Sequence, residues 1–255
     1  MPRQARAVFP LVPHHVTQRG NRRRDVFFGR GDALAYLNLL QECSSRYGID
    51  VAAYCLMPNH VHLVVVPSTA DGLHRALKVV HGRHAQRVNR MRRWTGHLWQ
   101  NRYFSSPLDS MHFLNAIRYV ELNPVRAGIV DQAANYEWSS AAAHCGLRDD
   151  KLIVPRLRWP ELEGIADWAA WLAVGAPTTC MELLRRNASQ NLPCGTDDFV
   201  AKLEAVAGRA LRYQPPGRPS QPAAEHGASC AVPEKVSVPF RKRGRSASRK
   251  GDRPL

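Results

Sequence analysis

The sequence predicts an α+β fold: a ferredoxin-like antiparallel sheet with helices mainly on one face, a helical C-terminal appendage and a disordered basic tail. Three observations predict it. The hydrophobic periodicity runs strand, helix, strand, strand, helix, strand, helix along the first 123 residues. Two apolar runs, residues 50–56 and 60–66, are separated only by Met57-Pro58-Asn59. After about residue 150 the pattern weakens into Trp- and Ala-rich helical pieces around Trp159, Trp168 and Trp171, and from Gln214 the chain is rich in Pro, Gly, Ser and Arg. Hydrophobic residues make up 44% of the 255 positions, enough for a core of about 130–150 residues plus appendages.

The elements follow in order. Residues 11–18 are short and partly β-branched, and Arg19-Gly20-Asn21 closes them as a turn leading into a basic loop, 21–24. From Gly31, Leu34, Tyr36, Leu37, Leu40 and Cys43 form a helical stripe that stops at Gly48. Residues 50–56 and 60–66 are strands, and Pro58, which cannot donate to a ladder, belongs between them. Ser68 or Asp71 caps a long helix reaching about Met91. Residues 94–108 read as a loop and strand with exposed aromatic character. Residues 109–123 return to helical spacing through Phe113, Ile117 and Val120, and Pro124 ends or kinks that helix. This gives three segments: an α+β domain over 8–145, a helical segment over 146–213 and a tail over 214–255.

Charge points to the partner. Thirty-six Lys and Arg against 21 Asp and Glu give +15, with a pI near 10.2, and a chain this basic usually meets a polyanion. Between residues 72 and 108 there are eight basic residues (Arg75, Lys78, Arg83, Arg87, Arg90, Arg92, Arg93 and Arg102) and no acidic one. Trp94, Trp99, Tyr103 and Phe104 accompany them. Arginines for phosphates beside aromatics for bases suit a single-strand groove. Residues 209–255 hold eleven basic and three acidic residues, a net +8 that would add affinity without reading sequence. The six cysteines (Cys43, Cys55, Cys145, Cys180, Cys194 and Cys230) form no CxxC pair, which fits a reducing compartment. The opening residues lack an apolar signal core and no apolar run approaches the roughly 18 residues needed to span a membrane, so a cytoplasmic location is expected.

His60 and His62 lie two apart on a predicted strand, on one face, with Val61 turned the other way. Two imidazoles on one strand face make a two-point metal site, although His-x-His alone is weak and a half-buried pair is the plainer alternative. Tyr119 and Asn123, at i and i+4, are expected on one helix face, roughly 5–6 Å apart at Cβ. Asn123 offers an amide oxygen suited to Mg²⁺ or Mn²⁺. Tyr119 offers a phenol, whose pKa of about 10 makes it a poor nucleophile at neutral pH unless its target phosphate is polarised.

Residues 57–65 (MPNHVHLVV), 98–103 (LWQNRY) and 119–128 (YVELNPVRAG) together strongly resemble the insertion-sequence-200-like transposases, single-strand endonucleases with a His-hydrophobic-His motif. The variant is similar to the REP-associated tyrosine transposases. The resemblance spans about residues 8–145 and continues weakly through 195–217. It implies a ferredoxin-like catalytic domain, a 5′-phosphotyrosine intermediate with a free 3′-hydroxyl, and hairpin-forming DNA as substrate. By that analogy His60, His62 and Asn123 bind the divalent metal, Mg²⁺ or Mn²⁺, and Tyr119 attacks.

DNA contacts are expected from Arg19, Arg22, Arg75, Lys78, Arg83, Arg87, Arg90, Arg93, Trp99 and Arg102, on single-stranded or hairpin DNA. No membrane and no organic cofactor is expected, and the protein would act as a monomer or homodimer at the nucleoid. Tyr103 reads as structure or base stacking, His15 as a lesser participant, and His81 and His84 as phosphate contacts or solvated groups. Two rivals share parts of this pattern. A relaxase or replication initiator often carries a second catalytic tyrosine and a helicase, neither apparent here; a domesticated DNA-binding protein would keep the basic groove and lose cleavage.

Overall fold

A computed structural model describes residues 6–213; the basic tail expected from residue 214 lies outside them. β1 (His14–Arg19), α1 (Arg30–Tyr47), β2 (Ile49–Met57), β3 (His60–Pro67), α2 (Gly72–Arg92) and β4 (Phe104–Pro107) appear in the predicted order, then α3 (Ser110–Glu121). The strands form one sheet in the order β2-β3-β1-β4 with every neighbouring pair antiparallel. That order and connectivity are ferredoxin-like.

Sterics set the turns. Gly48 ends α1 at φ +63°, and a Cβ there would sit 2.1 Å from Ser68 Oγ, so only glycine lets the chain reverse into β2. Pro58 and Asn59 form the tight link between β2 and β3, with Met57 facing His60 across it. A register shift between Val51 and Ala53 sends Ala53, Cys55 and Met57 to the face opposite Val51, Tyr54 and Leu56.

Helices cover both faces. The pair α1–α2 packs on one, against Val16, Val61, Leu63 and Val65. The other carries α3 together with the segment expected as an appendage: Trp159, Leu162, Trp168, Leu172 and Leu184 join Phe113, Ile117 and Tyr119 in one cluster with Val64 and Cys55. The short α4 (Asn123–Arg126) and α5 (Ala141–His144) precede that segment, which supplies α6 (Trp168–Ala173), α7 (Thr178–Ala188) and α8 (Asp197–Ala207). Burial on both faces explains why β3 is an almost unbroken apolar run.

Two local expectations are corrected. His81 and His84 are buried between α1 and α2, where His81 Nε2 lies 3.0 Å from Tyr36 Oη and His84 Nε2 lies 2.8 Å from the Val26 carbonyl. They align with Leu73, Leu77, Val80 and Val88 on the apolar stripe of α2, which outweighs the charge of the arginines around them. The helix expected over 109–123 ends at Glu121. Leu122, at φ −82° and ψ 1°, separates it from α4, which Asn123 opens with Pro124 in its first turn. Tyr119 and Asn123 therefore belong to successive helices, and the single-helix spacing does not describe them.

Candidate active site

On β3, the side chains of His60, His62 and Val64 share the face covered by α3, and β1 runs alongside with Thr17 opposite His62 and His15 opposite Val64. His15 is thus the diagonal neighbour of His62. Its Nε2 lies 3.0 Å from His62 Nδ1, and the two rings stack with centroids 5.2 Å apart and planes 10° apart. Tyr119, on the last turn of α3, meets both imidazoles edge-on, at 5.5 Å from His62 and 5.7 Å from His15. The Arg126 guanidinium lies 4.4 Å from the centre of the tyrosine ring and donates to the Tyr119 carbonyl. Arg185 of α7 approaches the ring at 5.8 Å. His15, Arg19, His60, His62, Tyr119 and Arg185 line a cavity of about 420 Å³, together with Gln100 and Phe104.

The electrostatics keep these imidazoles neutral at pH 7. Burial, then the charge of Arg19, pulls His60 down to about 4. Burial alone pulls His15 to about 4. His62 lies well below its usual value, through burial first and then through His60, His15, Arg126 and Arg19. A neutral imidazole has one N–H and one lone pair. His60 Nδ1 is 2.6 Å from Asn59 Oδ1, which can only accept, because the Asn59 amide nitrogen donates to the Arg23 carbonyl at 3.1 Å. The hydrogen-bond network thereby assigns the proton of His60 to Nδ1 and its lone pair to Nε2. If His62 donates from Nδ1 to His15 Nε2, His62 Nε2 likewise keeps a lone pair. The proton of His15 then sits on its buried Nδ1, which has no partner among the described residues. A metal-binding histidine usually donates its other ring nitrogen to a neighbour, and Asn59 and His15 are such neighbours. The donor set fits a divalent cation bound through two Nε2 atoms. Among the described residues no group of three or more His, Cys, Asp or Glu side chains is arranged to hold a metal.

The other expected residues are spread more widely. Asn123 opens α4, and its buried amide nitrogen has no partner among the described residues. Arg19 lines the cavity, while Arg75, Lys78, Arg83, Arg87 and Arg90 are exposed on α2, which packs on the opposite face of the sheet. Two of these meet carboxylates from outside the acid-free window: Arg75 pairs with Asp71 at 3.5 Å and Arg87 with Asp32 at 3.5 Å. Trp99 turns its indole N–H inward to the His81 carbonyl at 2.9 Å, and Arg102 is exposed. Arg22 and Arg93 line a second pocket beside the first. Tyr103 belongs to the core on the α1–α2 face, away from the imidazoles, with Arg6 3.9 Å over its ring.

Sequence reasoning missed Asn59, Arg126 and Arg185 and underweighted His15. Asn59 and Arg126 stood inside the quoted motifs; nothing in the sequence brings Arg185 to Tyr119.

Comparison with known proteins adds the following. Residues 9–123 match the family model described as "Transposase IS200 like". The chain is similar to a solved REP-associated tyrosine transposase bound to a REP hairpin, at 16% identity over 61% of this chain and 92% of that one, with a TM-score of 0.49. It is also similar to a Deinococcus radiodurans R1 protein described as a transposase, at 19% identity over 50% of this chain and 92% of that one, with a TM-score of 0.32. The comparison with curated proteins finds no match.

Proposed function

We propose, from the match of residues 9–123 to the IS200-like transposase family model, that this chain cuts and rejoins single-stranded or hairpin DNA with Tyr119 as nucleophile. The observation that carries the reading is the Tyr119 ring standing edge-on over His62 and His15, in a cavity that also holds His60, Arg19 and Arg185. In the forward step Tyr119 Oη attacks the scissile phosphorus. The Oη–P bond forms as the phenol gives up its proton, the P–O3′ bond breaks, and the departing 3′-oxygen takes up a proton, so the step is proton-neutral overall. The protein is left on the 5′ phosphate. A 3′-hydroxyl of another DNA end can reverse the step without ATP, because the phosphodiester bond energy is kept.

His60 and His62 would hold the divalent cation through Nε2, with Asn123 as the further ligand; when bound, Mg²⁺ or Mn²⁺ supplies Lewis-acid polarisation of the phosphate. Arg19 and Arg185 bring positive charge to the non-bridging oxygens, where charge develops. Arg126, over the tyrosine ring and bonded to its carbonyl, restrains the direction of the phenol.

A randomised single-stranded DNA pool carrying a 3′ label tests this. Wild-type protein with Mg²⁺ or Mn²⁺ should form an adduct that survives SDS, and Tyr119→Phe should form none. His60→Ala should lose cleavage and keep DNA binding. Adduct formation by Tyr119→Phe together with its loss in Tyr103→Phe would move the nucleophile to Tyr103.

A further inference from the structure

We propose that the pocket between residues 21–25 and residues 93–98 is a subsite for an unpaired nucleotide of the DNA strand whose phosphate lies at Tyr119. The inference rests on the proposed function, and four observations lead to it.

The first is position. Gly20 bridges to Trp99, the Gln100 N–H donates to the Arg19 carbonyl at 2.9 Å, and the Asn21 N–H donates to the Leu98 carbonyl at 2.7 Å. Arg19 and Gln100 line the catalytic cavity; Asn21 and Leu98 line the second pocket, of about 440 Å³. The two cavities thus lie on either side of one backbone bridge. From residue 19 to residue 21 is about 7 Å of extended chain.

The second is charge. Arg22, Arg24 and Arg93 line the pocket, all exposed, and none pairs with a carboxylate among the described residues. Asp25 is the acidic residue in the lining. The arrangement leaves three guanidinium groups free for phosphate.

The third is the aromatic surface. Trp94 is 40% exposed and set edge-on to Phe28 at 5.5 Å, with the Arg92 guanidinium 4.0 Å over the other ring. An indole held this way can stack on a base of any identity.

The fourth is strain. Arg22, Arg23 and Arg93 adopt left-handed backbone conformations, at φ 53°, 60° and 54°. Arg93 does so as the C-cap of α2, while Arg22 and Arg23 do so within the loop, a conformation that gathers at ligand clamps. The loop that holds them is pinned: Val26 N–H donates to the Pro58 carbonyl at 2.8 Å, and Gly20 has no room for a Cβ, which would meet the Arg24 carbonyl oxygen at 2.1 Å.

The test uses the full chain in the Tyr119→Phe background, so that binding is read without chemistry. 5-Iododeoxyuridine is placed in turn at each position of a hairpin oligonucleotide with a single-stranded flank, and the photo-crosslinked residues are identified by mass spectrometry. Crosslinks to Trp94 should come from one or two adjacent flank positions. Trp94→Ala should weaken binding of the flank about 5- to 150-fold, the range that loss of one stacked base implies, and Trp94→Phe should restore most of it. Arg24→Ala and Arg93→Ala should each lower the slope of log affinity against log salt by about 0.7. Crosslinks confined to paired bases, or unchanged affinity in Trp94→Ala, would overturn the subsite. The two readings separate cleanly. Wild-type protein that forms no adduct, while Trp94-dependent binding persists, removes the nuclease and leaves the subsite standing as a binding site.

Discussion

Asn59 shows how a single amide can set the chemistry of its neighbour. Its nitrogen donates to the Arg23 carbonyl and its oxygen faces His60 Nδ1 at 2.6 Å, so the side chain fixes which imidazole nitrogen is left open. Asn59→Ala removes that restraint and should weaken Mn²⁺ binding about 10- to 100-fold, the usual cost of losing such a partner. Titration followed by electron paramagnetic resonance would check it, and unchanged affinity would mean that His60 is oriented by something else. The histidine pair itself was legible in the sequence, because a two-residue period fixes which side chains share a strand face. The place of His15 was not. It depends on the β1–β3 register, in which Val64 rather than His62 stands opposite it. Arg185 was still less accessible, since it reaches Tyr119 only through the packing of α7 on α3.

At the scale of elements, α3 carries Tyr119 toward the imidazoles and, two residues on, turns Glu121 the other way into the protein. Glu121 is fully buried. One carboxylate oxygen accepts from Ser140 Oγ and from His144 Nδ1 at 2.6 Å, and the other accepts from the Trp168 indole at 2.7 Å. These partners come from just before α5, from α5 and from α6, so one carboxylate ties the last turn of α3 to the C-terminal segment. Glu121→Ala strands three buried donors and should cost about 3–5 kcal/mol in urea denaturation. Glu121→Gln, which keeps the volume and one acceptor oxygen, should cost clearly less. Equal losses would show that packing rather than hydrogen bonding makes this joint. Nothing in the sequence singles out this joint, because the partners of Glu121 lie 19 to 47 positions away. By contrast the burial of His81 and His84 could have been read from the stripe through Leu77, Val80 and Val88, had periodicity been weighed above residue chemistry.

Across the whole molecule, buried histidines link stability to acidity. His14 and His81 stand apart from the imidazoles of the candidate site and are both buried. His14 donates from Nδ1 to the Val12 carbonyl at 2.7 Å and accepts at Nε2 from the Phe9 N–H, so its surroundings match the neutral ring, and burial holds its pKa down to about 4. Burial, followed by His84 and Arg6, holds His81 down to about 3. Both lie below the ordinary value near 6.5. Above that pH neither the folded nor the unfolded chain binds these protons, and stability is at its full value. Below it the unfolded chain takes up protons that the folded chain refuses, so stability falls as the pH drops toward 4. Each should contribute a fall of about 1.4 kcal/mol per pH unit, so these two add about 3 kcal/mol per unit to what the other histidines held down by burial, His15, His60, His62 and His84, contribute. Urea denaturation at pH 7.5, 6.0 and 5.0 would measure it, at an ionic strength high enough to screen the repulsion of a +15 chain. His14→Gln keeps one donor and one acceptor but cannot titrate, so it should flatten the slope between pH 6.0 and 5.0 by about 1.4 kcal/mol per unit. A variant with the same slope as wild type would show that His14 takes up its proton in the folded chain, and that the bond from Phe9 does not hold the ring neutral.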